Sequence, residues 1–392
     1  MVCCDPEKQQ QGKTRLCILG STGSIGQSAL QIVRDNRDRF EVVALAAGSN
    51  VEELKKQILE FHPKVAALHD EKAFLKLEKV LPTSACNELS CGAKSIAEIT
   101  TRQDVDVVLA AIVGFAGLRS VVAALSADKI VALANKESLV CGGAIIKKLL
   151  AEGHGKIIPV DSEHSAIFQA LQGQSPDGLK SLILTASGGP FFKTPIEEFS
   201  TITVEQALKH PRWKMGPKVT IDSATMMNKA LEVIEAYWLF GVSEEQISVL
   251  VHPQSIVHSL VEFVDGSQLA QLSHPDMKGP IAYALRYPER MPQVMLPLDL
   301  AKIGKLDFFP LDDKKFPAVK LAKEAIKKGG AATAVFNIAN EVAVKSFLNE
   351  KVGFDKIVPF VEDALNNFGD KTYSSLEELE MIDREVRKIL LG

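Results

Sequence analysis

From Arg15 onward the chain alternates short apolar runs with longer stretches in which apolar residues recur every three to four positions. Leu16–Leu19, Val42–Ala47, Val65–Leu68, Val105–Val113 and Ile130–Leu133 have the length and continuity of strands buried on both faces. Between them, a stretch running to about Arg37, then Val51–Phe61, Glu71–Leu81, Leu118–Ser126 and Ala144–Glu152 carry helical periodicity. Strand alternating with helix predicts a parallel sheet covered on both faces. Near residue 155 the rhythm changes. Ile157–Val160, Leu182–Ala186 and Val219–Ile221 read as strands between Gly- and Pro-rich loops. Ile247–Val251, Ile256–Val264 and Gln268–Leu272 follow, the last two joined across Asp265-Gly266, a tight-hairpin signal that predicts an antiparallel sheet. After a Pro-punctuated connector, Ala318–Lys328, Ala331–Asn349, Asp355–Phe368 and Leu376–Leu391 are amphipathic helices that form a closing bundle.

The expected organisation is a flexible leader (1–14), a parallel-sheet domain (15–154), a central α+β domain carrying the chemistry (155–287), a connector (288–317) and a C-terminal helical domain (318–392). A length of 392 residues suits two to three domains, and 46% hydrophobic with 24% charged residues is a globular composition that excludes disorder. The net charge of −4 leaves no bulk field to draw the chain onto nucleic acid or an anionic membrane, so any anion must be held by local donors. No apolar run is long enough to span a bilayer. Cys3, Cys4, Cys17, Cys86, Cys91 and Cys141 lack metal-ligand spacing and read as free thiols, and the leader has acidic residues and no apolar core; both point to the cytoplasm.

Candidate chemistry begins directly after the first strand. Gly20-Ser-Thr-Gly23-Ser-Ile-Gly26 leads into a helix, a turn whose backbone N–H groups and helix dipole suit a pyrophosphate; a bare glycine turn is the alternative. At the end of the second strand Gly48-Ser49-Asn50 places no carboxylate against a ribose 2′ position, which favours NADP over NAD, although Ser49-Asn50 also suits a helix cap. Asn135-Lys136-Glu137-Ser138 follows the Ile130 strand at the ligand-binding edge of the sheet, or is a solvated turn. Asp161 and Glu163 stand two positions apart after an apolar strand and share one side if the chain stays extended. Asn228, Lys229 and Glu232 share a helix face. Three oxygen ligands suit Mg²⁺ or Mn²⁺, against the alternative of ordinary surface ion pairs. Ser187-Gly188-Gly189-Pro190 and Asp222-Ser223-Ala224-Thr225, the latter at the head of the Glu232 helix, offer hydroxyl and backbone donors to a phosphate, with Ser223 also readable as an N-cap. The loop 210–217, with His210, Trp213 and Met215, reads as a lid or as core filling, and His252 and His258 are equally readable as structural.

Taken in order, Gly20–Gly26, Leu133–Ser138, Val160–His164, Ser187–Pro190 and Met227–Glu232 closely resemble the 1-deoxy-D-xylulose 5-phosphate reductoisomerase family, and the resemblance runs from about Arg15 to the C-terminus. It implies an N-terminal Rossmann-like domain and an NADPH-dependent oxidoreductase of the non-mevalonate isoprenoid route. This rearranges its ketose phosphate and reduces the product to 2-C-methyl-D-erythritol 4-phosphate. It further implies cofactor contacts at Thr22, Gly23, Ser24, Ile25, Gly48, Ser49, Asn50, Asn135, Glu137 and Gly216, and a divalent cation (Mg²⁺, Mn²⁺ or Co²⁺) on Asp161, Glu163 and Glu232. Substrate contacts implied are Lys136, Ser162, Glu163, Ser187, His210, Trp213, Met215, Ser223, Asn228, Lys229 and Glu232, with Lys136, Glu163, His210, Asp161 and Glu232 the catalytic set. A homodimer is also implied. Some relatives carry a basic residue where this chain has Ser49, which leaves open how a 2′-phosphate is neutralised. Two other readings are a dehydrogenase that reduces a phosphorylated carbonyl without rearranging it, and a nucleotide sensor without catalysis; three carboxylates and Lys229 argue against both. Because Gly48-Ser49-Asn50 carries no carboxylate, NADPH is expected to exceed NADH clearly in kcat/KM; equal use of the two in a steady-state assay contradicts this reading.

Overall fold

The computed structural model describes residues 12–209 and 216–392. Seven strands form the first sheet: β1 (Thr14–Leu19), β2 (Phe40–Ala47), β3 (Val65–Leu68), β4 (Glu88–Cys91), β5 (Val107–Ala110), β6 (Ile130–Leu133) and β7 (Lys156–Pro159). They lie in the order β4-β3-β2-β1-β5-β6-β7, and every neighbouring pair is parallel. The order reverses beside β1, so the carboxyl ends of β1 and β5 open onto the crevice where such sheets bind ligands. Apart from the edge strand β4, the strands are almost wholly buried, as their continuous apolar runs require once helices cover both faces.

The second sheet contains β8 (Leu179–Ala186), β9 (Ile247–Val251), β10 (Val257–Phe263), β11 (Gln268–Leu272) and β12 (Phe309–Pro310) in the order β11-β10-β8-β9-β12. The hairpin closes through Asp265-Gly266, with Gly266 at φ 86°. The expected antiparallel sheet is mixed, because β8 and β9 run parallel. Helices Ala318–Lys328, Ala332–Leu348, Ile357–Phe368 and Leu376–Leu391 close the chain. Of these, Ala332–Leu348 is buried nearly all round and packs on Lys136–Ala151 and Met227–Phe240, the two helices that carry much of the site.

Five local expectations are corrected. The strand near Ile157 belongs to the first sheet, paired with β6, and does not open the second. β4 goes unpredicted because Glu-Leu-Ser-Cys at a sheet edge neither alternates nor forms an apolar run. The helix expected from Ala144 extends back to Lys136 across a kink at Gly142, whose φ of −109° and ψ of 18° are not helical, and Gly142 and Gly143 let it approach its neighbours. A Cβ at Gly142 would meet Leu118 at 2.5 Å, and one at Gly143 would meet Trp238 at 2.4 Å. Val219–Ile221 is not a strand but part of the helix Pro217–Ala224, which Pro217 opens in its first turn. Ser223 accordingly lies in the last turn of that helix and does not cap the helix Met227–Phe240.

Candidate active site

A cleft of about 730 Å³ opens between the two sheets, lined from one side by the glycine-rich turn and from the other by the loops after β7 and β8. The turn is compact because its last glycine has no side chain: a Cβ on Gly26 would sit 2.4 Å from the Gly20 carbonyl oxygen. Gly23 caps the helix Ser24–Asp35 with no side-chain hydrogen bond, so the N–H groups of its first turn face the cleft unclaimed. Gly23, Ser24 and Ile25 line the cleft, and so do Asn135, Glu137 and Gly216. Thr22 is half-buried beside them, whereas Gly48, Ser49 and Asn50 are exposed at the end of β2, away from this cleft.

Asn135 caps the helix Lys136–Ala151 by accepting from the Ser138 N–H at 2.9 Å, and its amide donates to the Gly114 carbonyl at 3.0 Å. That cap aims Lys136 across the cleft. On the facing side Asp161 occupies the cap position of the helix Ser162–Ala170, with Glu163 in its first turn; the two carboxylates meet through a helix start and not along an extended strand. Glu232 arrives from the buried face of Met227–Phe240. Preceding that helix, Met226 is held at φ 62°, an unusual conformation for a side chain of its size, buried against the site.

One oxygen from each of Asp161, Glu163 and Glu232 lies within 4.8 Å of the others. At that spacing each like-charge pair costs about 3–4 kcal/mol at an effective dielectric of about 20. Two lysines offset the repulsion. Lys136 pairs with Asp161 and, at 3.0 Å, with Glu232, while Lys229 pairs with Glu163 at 2.8 Å and with Glu232. Burial pulls the Lys136 ammonium down, yet Asp161, Glu232 and Glu235 outweigh it and hold the group well above the usual lysine range. Burial likewise opposes the charge on Asp161, and Lys136 followed by His164 holds that carboxyl well below its ordinary value. Glu163 moves the other way: burial first, then the charge of Glu232, push it up to about 7, with Lys229 only partly offsetting them. The repulsion that remains among the three acids falls on Glu163, where a proton relieves it. A divalent cation relieves it equally well, and a set made only of oxygen donors suits a hard ion.

Beyond the cluster, Ser162, Ser187, Ser223, Asn228 and Lys229 converge on the same cleft. The turn after β8 fits closely here, since Gly189 at φ 66° would carry a Cβ only 2.7 Å from the Ser223 carbonyl oxygen. Three Ser hydroxyls, an amide and an ammonium around one space suit a phosphate. His210, Trp213 and Met215 lie outside the described residues.

Several lining residues escape sequence reasoning. Lys218 pairs with Glu137 at 2.8 Å and with Asp222 at 2.9 Å, and Asn340 of the C-terminal helices donates to Asp222 at 2.8 Å. Burial weakens the Lys218 charge, but Asp222 and Glu137 outweigh it and raise the group far above the usual lysine range. Ile112 and Val113 at the end of β5 supply an apolar wall, with Val113 60% exposed. Their position at a strand's carboxyl end was the available signal. His258 also reaches the cleft, where burial lowers it to about 4 and its Nε2 meets the Ser273 hydroxyl at 2.9 Å; it stays neutral. Beneath the cluster, fully buried His164 sits 3.3 Å from Glu235 and bonds the Glu232 carbonyl through Nε2 at 2.9 Å. Burial opposes its charge, while Glu235 and Asp161 raise it to about 9.

A parallel sheet whose first turn is shaped for a pyrophosphate, opening onto acids suited to a hard cation, defines a class: α/β enzymes that couple dinucleotide binding to metal-assisted chemistry. Family models place the chain further. The model for 1-deoxy-D-xylulose 5-phosphate reductoisomerase matches residues 16–143, and models for that enzyme's C-terminal domains match residues 157–240 and 272–389. The chain belongs to the 1-deoxy-D-xylulose 5-phosphate reductoisomerase family. It is 52% identical to the reductoisomerase of Chlorobium chlorochromatii, covering 95% of this chain and 97% of that one, and 50% identical to the reductoisomerase of Geotalea uraniireducens, covering 96% and 98%. The Zymomonas mobilis enzyme solved with NADPH superposes with a TM-score of 0.90 at 44% identity, over 96% of this chain and 98% of that one. A reductoisomerase solved with NADPH, fosmidomycin and magnesium gives 0.91 at 43% identity, over 96% and 97%.

Two outcomes follow from the cluster. Glu232→Gln is expected to lower kcat by at least about a hundredfold while leaving NADPH affinity nearly unchanged in a fluorescence titration; near-normal turnover removes Glu232 from the chemistry. Because a cation must displace the proton that Glu163 retains up to about pH 7, affinity for Mg²⁺ or Mn²⁺ should rise with pH below that value and level off above it. Calorimetric titration across pH should give a slope of about tenfold per unit on the acid side, and a flat profile contradicts the assignment.

Proposed function

We propose that this chain carries out the NADPH- and divalent-cation-dependent conversion of 1-deoxy-D-xylulose 5-phosphate to 2-C-methyl-D-erythritol 4-phosphate in the non-mevalonate route to isoprenoid precursors. The observation that carries the reading is the convergence of Asp161, Glu163 and Glu232 in the cleft that also contains the glycine-rich turn. A dehydrogenase acting on a ready-made carbonyl has no use for three oxygen ligands beside its cofactor. Relatives sharing more than 40% of their residues with this chain have been solved with NADPH, magnesium and fosmidomycin.

Asp161, Glu163 and Glu232 fit a divalent cation: they are close, shielded and free of thiol neighbours. When bound, the cation supplies Lewis-acid stabilisation of the oxyanion that develops during skeletal migration, and NADPH supplies the hydride. Thr22, Gly23, Ser24, Ile25, Asn135, Glu137 and Gly216 are assigned to the cofactor's pyrophosphate and nicotinamide portions, and Gly48, Ser49 and Asn50 to its adenosine end. Ser187, Ser223, Asn228 and Lys229 hold the substrate phosphate, and that remote binding energy fixes the reacting carbons. Ser162, whose hydroxyl donates to Glu163, faces the same substrate. Lys136 remains an ammonium and orients oxygens through its bond to Asn228 at 3.1 Å; it is not the base. The proton that changes hands near neutrality resides on Glu163.

In the proposed division of labour, residues 15–154 bind nucleotide, 155–287 carry catalysis, 288–317 connect and 318–392 brace the cleft. The outer edge of the second sheet, β11, exposes Leu269, and the turn before it exposes Val264, which suits pairing with a second copy of the chain as a homodimer. Cys17, Cys86, Cys91 and Cys141 are free thiols, in keeping with a cytoplasmic setting. No helix among the described residues is long and apolar enough to cross a membrane. The test is NADPH oxidation, followed by absorbance, with 1-deoxy-D-xylulose 5-phosphate as substrate. Activity is expected to vanish with a chelator and return with Mg²⁺ or Mn²⁺; oxidation that persists without metal overturns the proposal.

A further inference from the structure

The neutral Gly48-Ser49-Asn50 turn leaves a question of charge. A group at the end of the second strand of a dinucleotide-binding sheet meets the ribose 2′ position, and a 2′-phosphate there needs a cation. Neither Ser49 nor Asn50 supplies one. The backbone around this turn is tied on both sides: Gly20 and Ser21 donate to the Ala46 carbonyl at 2.9 Å, while His69 and Asp70 donate to Ala47 and Gly48 at 2.9 and 3.1 Å. The end of β2 is thereby held between the pyrophosphate turn and the start of the helix Glu71–Val80.

A second cavity, of about 400 Å³, opens at this junction, lined by Ser49, Asn50, Glu52, Asp70, Lys72 and Lys76. Its charges are unequally available. Lys76 is engaged by Glu52 at 3.3 Å, and the Asp70 side chain is spent on the helix, accepting from the Ala73 N–H at 2.8 Å. Asn50 accepts from the Glu53 N–H at 3.2 Å through Oδ1, which leaves its amide N–H groups to donate. Lys72 enters no ion pair among the described residues.

We propose that Lys72 is the cation that recognises the 2′-phosphate and so determines the preference for NADPH over NADH. Ser49 and Asn50 add neutral hydrogen bonds, and Lys76 is a reserve charge restrained by Glu52. The inference rests on the NADPH reading above and deepens it. The cation comes from the helix after the third strand and not from the turn after the second. An exposed ammonium pairing with a dianion is worth about a factor of ten, and the contribution weakens as salt rises.

The test is binding, not turnover. NADPH and NADH are titrated by fluorescence, and adenosine 2′,5′-bisphosphate and AMP by calorimetry, against the wild-type protein, Lys72→Gln and Glu52→Gln. Lys72→Gln is expected to weaken NADPH and the bisphosphate about tenfold and to leave NADH and AMP unchanged. Glu52→Gln, by releasing Lys76, should tighten the phosphorylated pair about twofold to threefold. Wild-type preference for NADPH that survives Lys72→Gln overturns this inference alone. Wild-type binding that does not distinguish NADPH from NADH overturns the cofactor reading on which it rests. Both substitutions are at exposed positions, and unchanged circular dichroism excludes misfolding as the cause.

Discussion

Three carboxylates brought within bonding distance of one ion repel one another, and the rest of the site is arranged around that repulsion. Asp161, Glu163 and Glu232 come from two helices separated in sequence by β8 and the helix Pro217–Ala224, and no local preference would gather them. Lys136 and Lys229 make the gathering tolerable, each bridging two acids, but they do not remove all of the repulsion. Glu163 absorbs it by staying near its protonation midpoint at neutrality, whereas Asp161, closer to Lys136 and to His164, remains charged. Three carboxylates that converge on one space suit a hard cation.

That cluster can be held because every element carrying it is braced from behind. The helix Met227–Phe240 is buried along most of its length, and His164 bonds its backbone at Glu232. On the nucleotide side, Glu137, Lys218, Asp222 and Asn340 form a continuous polar chain from the helix after β6 to the C-terminal helices. Glu341, one residue further on, accepts the Phe115 N–H at 3.2 Å and pairs with Arg387. The C-terminal helices therefore touch the walls of the cleft directly, although none of their residues is among those that line it. Buried networks of this kind specify one arrangement of the elements they join, provided each member finds its partners.

The two regions proposed to bind anions differ in their means. The cleft offers backbone N–H groups, hydroxyls and the Lys229 ammonium in enclosed surroundings, where each hydrogen bond is strong. Ser49, Asn50 and Lys72 are exposed to water, where the action of a long ammonium group on an anion is screened, graded and sensitive to salt.

Much of this was legible in the residues alone. Apolar runs and periodicity located six of the seven strands of the first sheet and the four C-terminal helices, several to the residue, because strands buried on both faces and one-sided helices leave strong patterns. The short list of oxygen-bearing side chains was also visible, since Asp161, Glu163, Asn228, Lys229 and Glu232 stand in compact motifs. The errors were all local in origin. The turn of helix between Lys136 and the Gly142 kink was missed because close packing of Gly142 and Gly143 against Leu118 and Trp238 is invisible in one dimension, and Val219–Ile221 looked like a strand because three residues cannot show a period. Lys218, Asn340 and Lys72 carried no signal at all: each matters only for what lies across from it. Periodicity and motif chemistry act over a few residues, and they determined which elements form and which side chains are reactive. Which acids meet, which lysine neutralises which pair, and which carboxyl keeps its proton depend on distance and burial, and only the folded chain sets those.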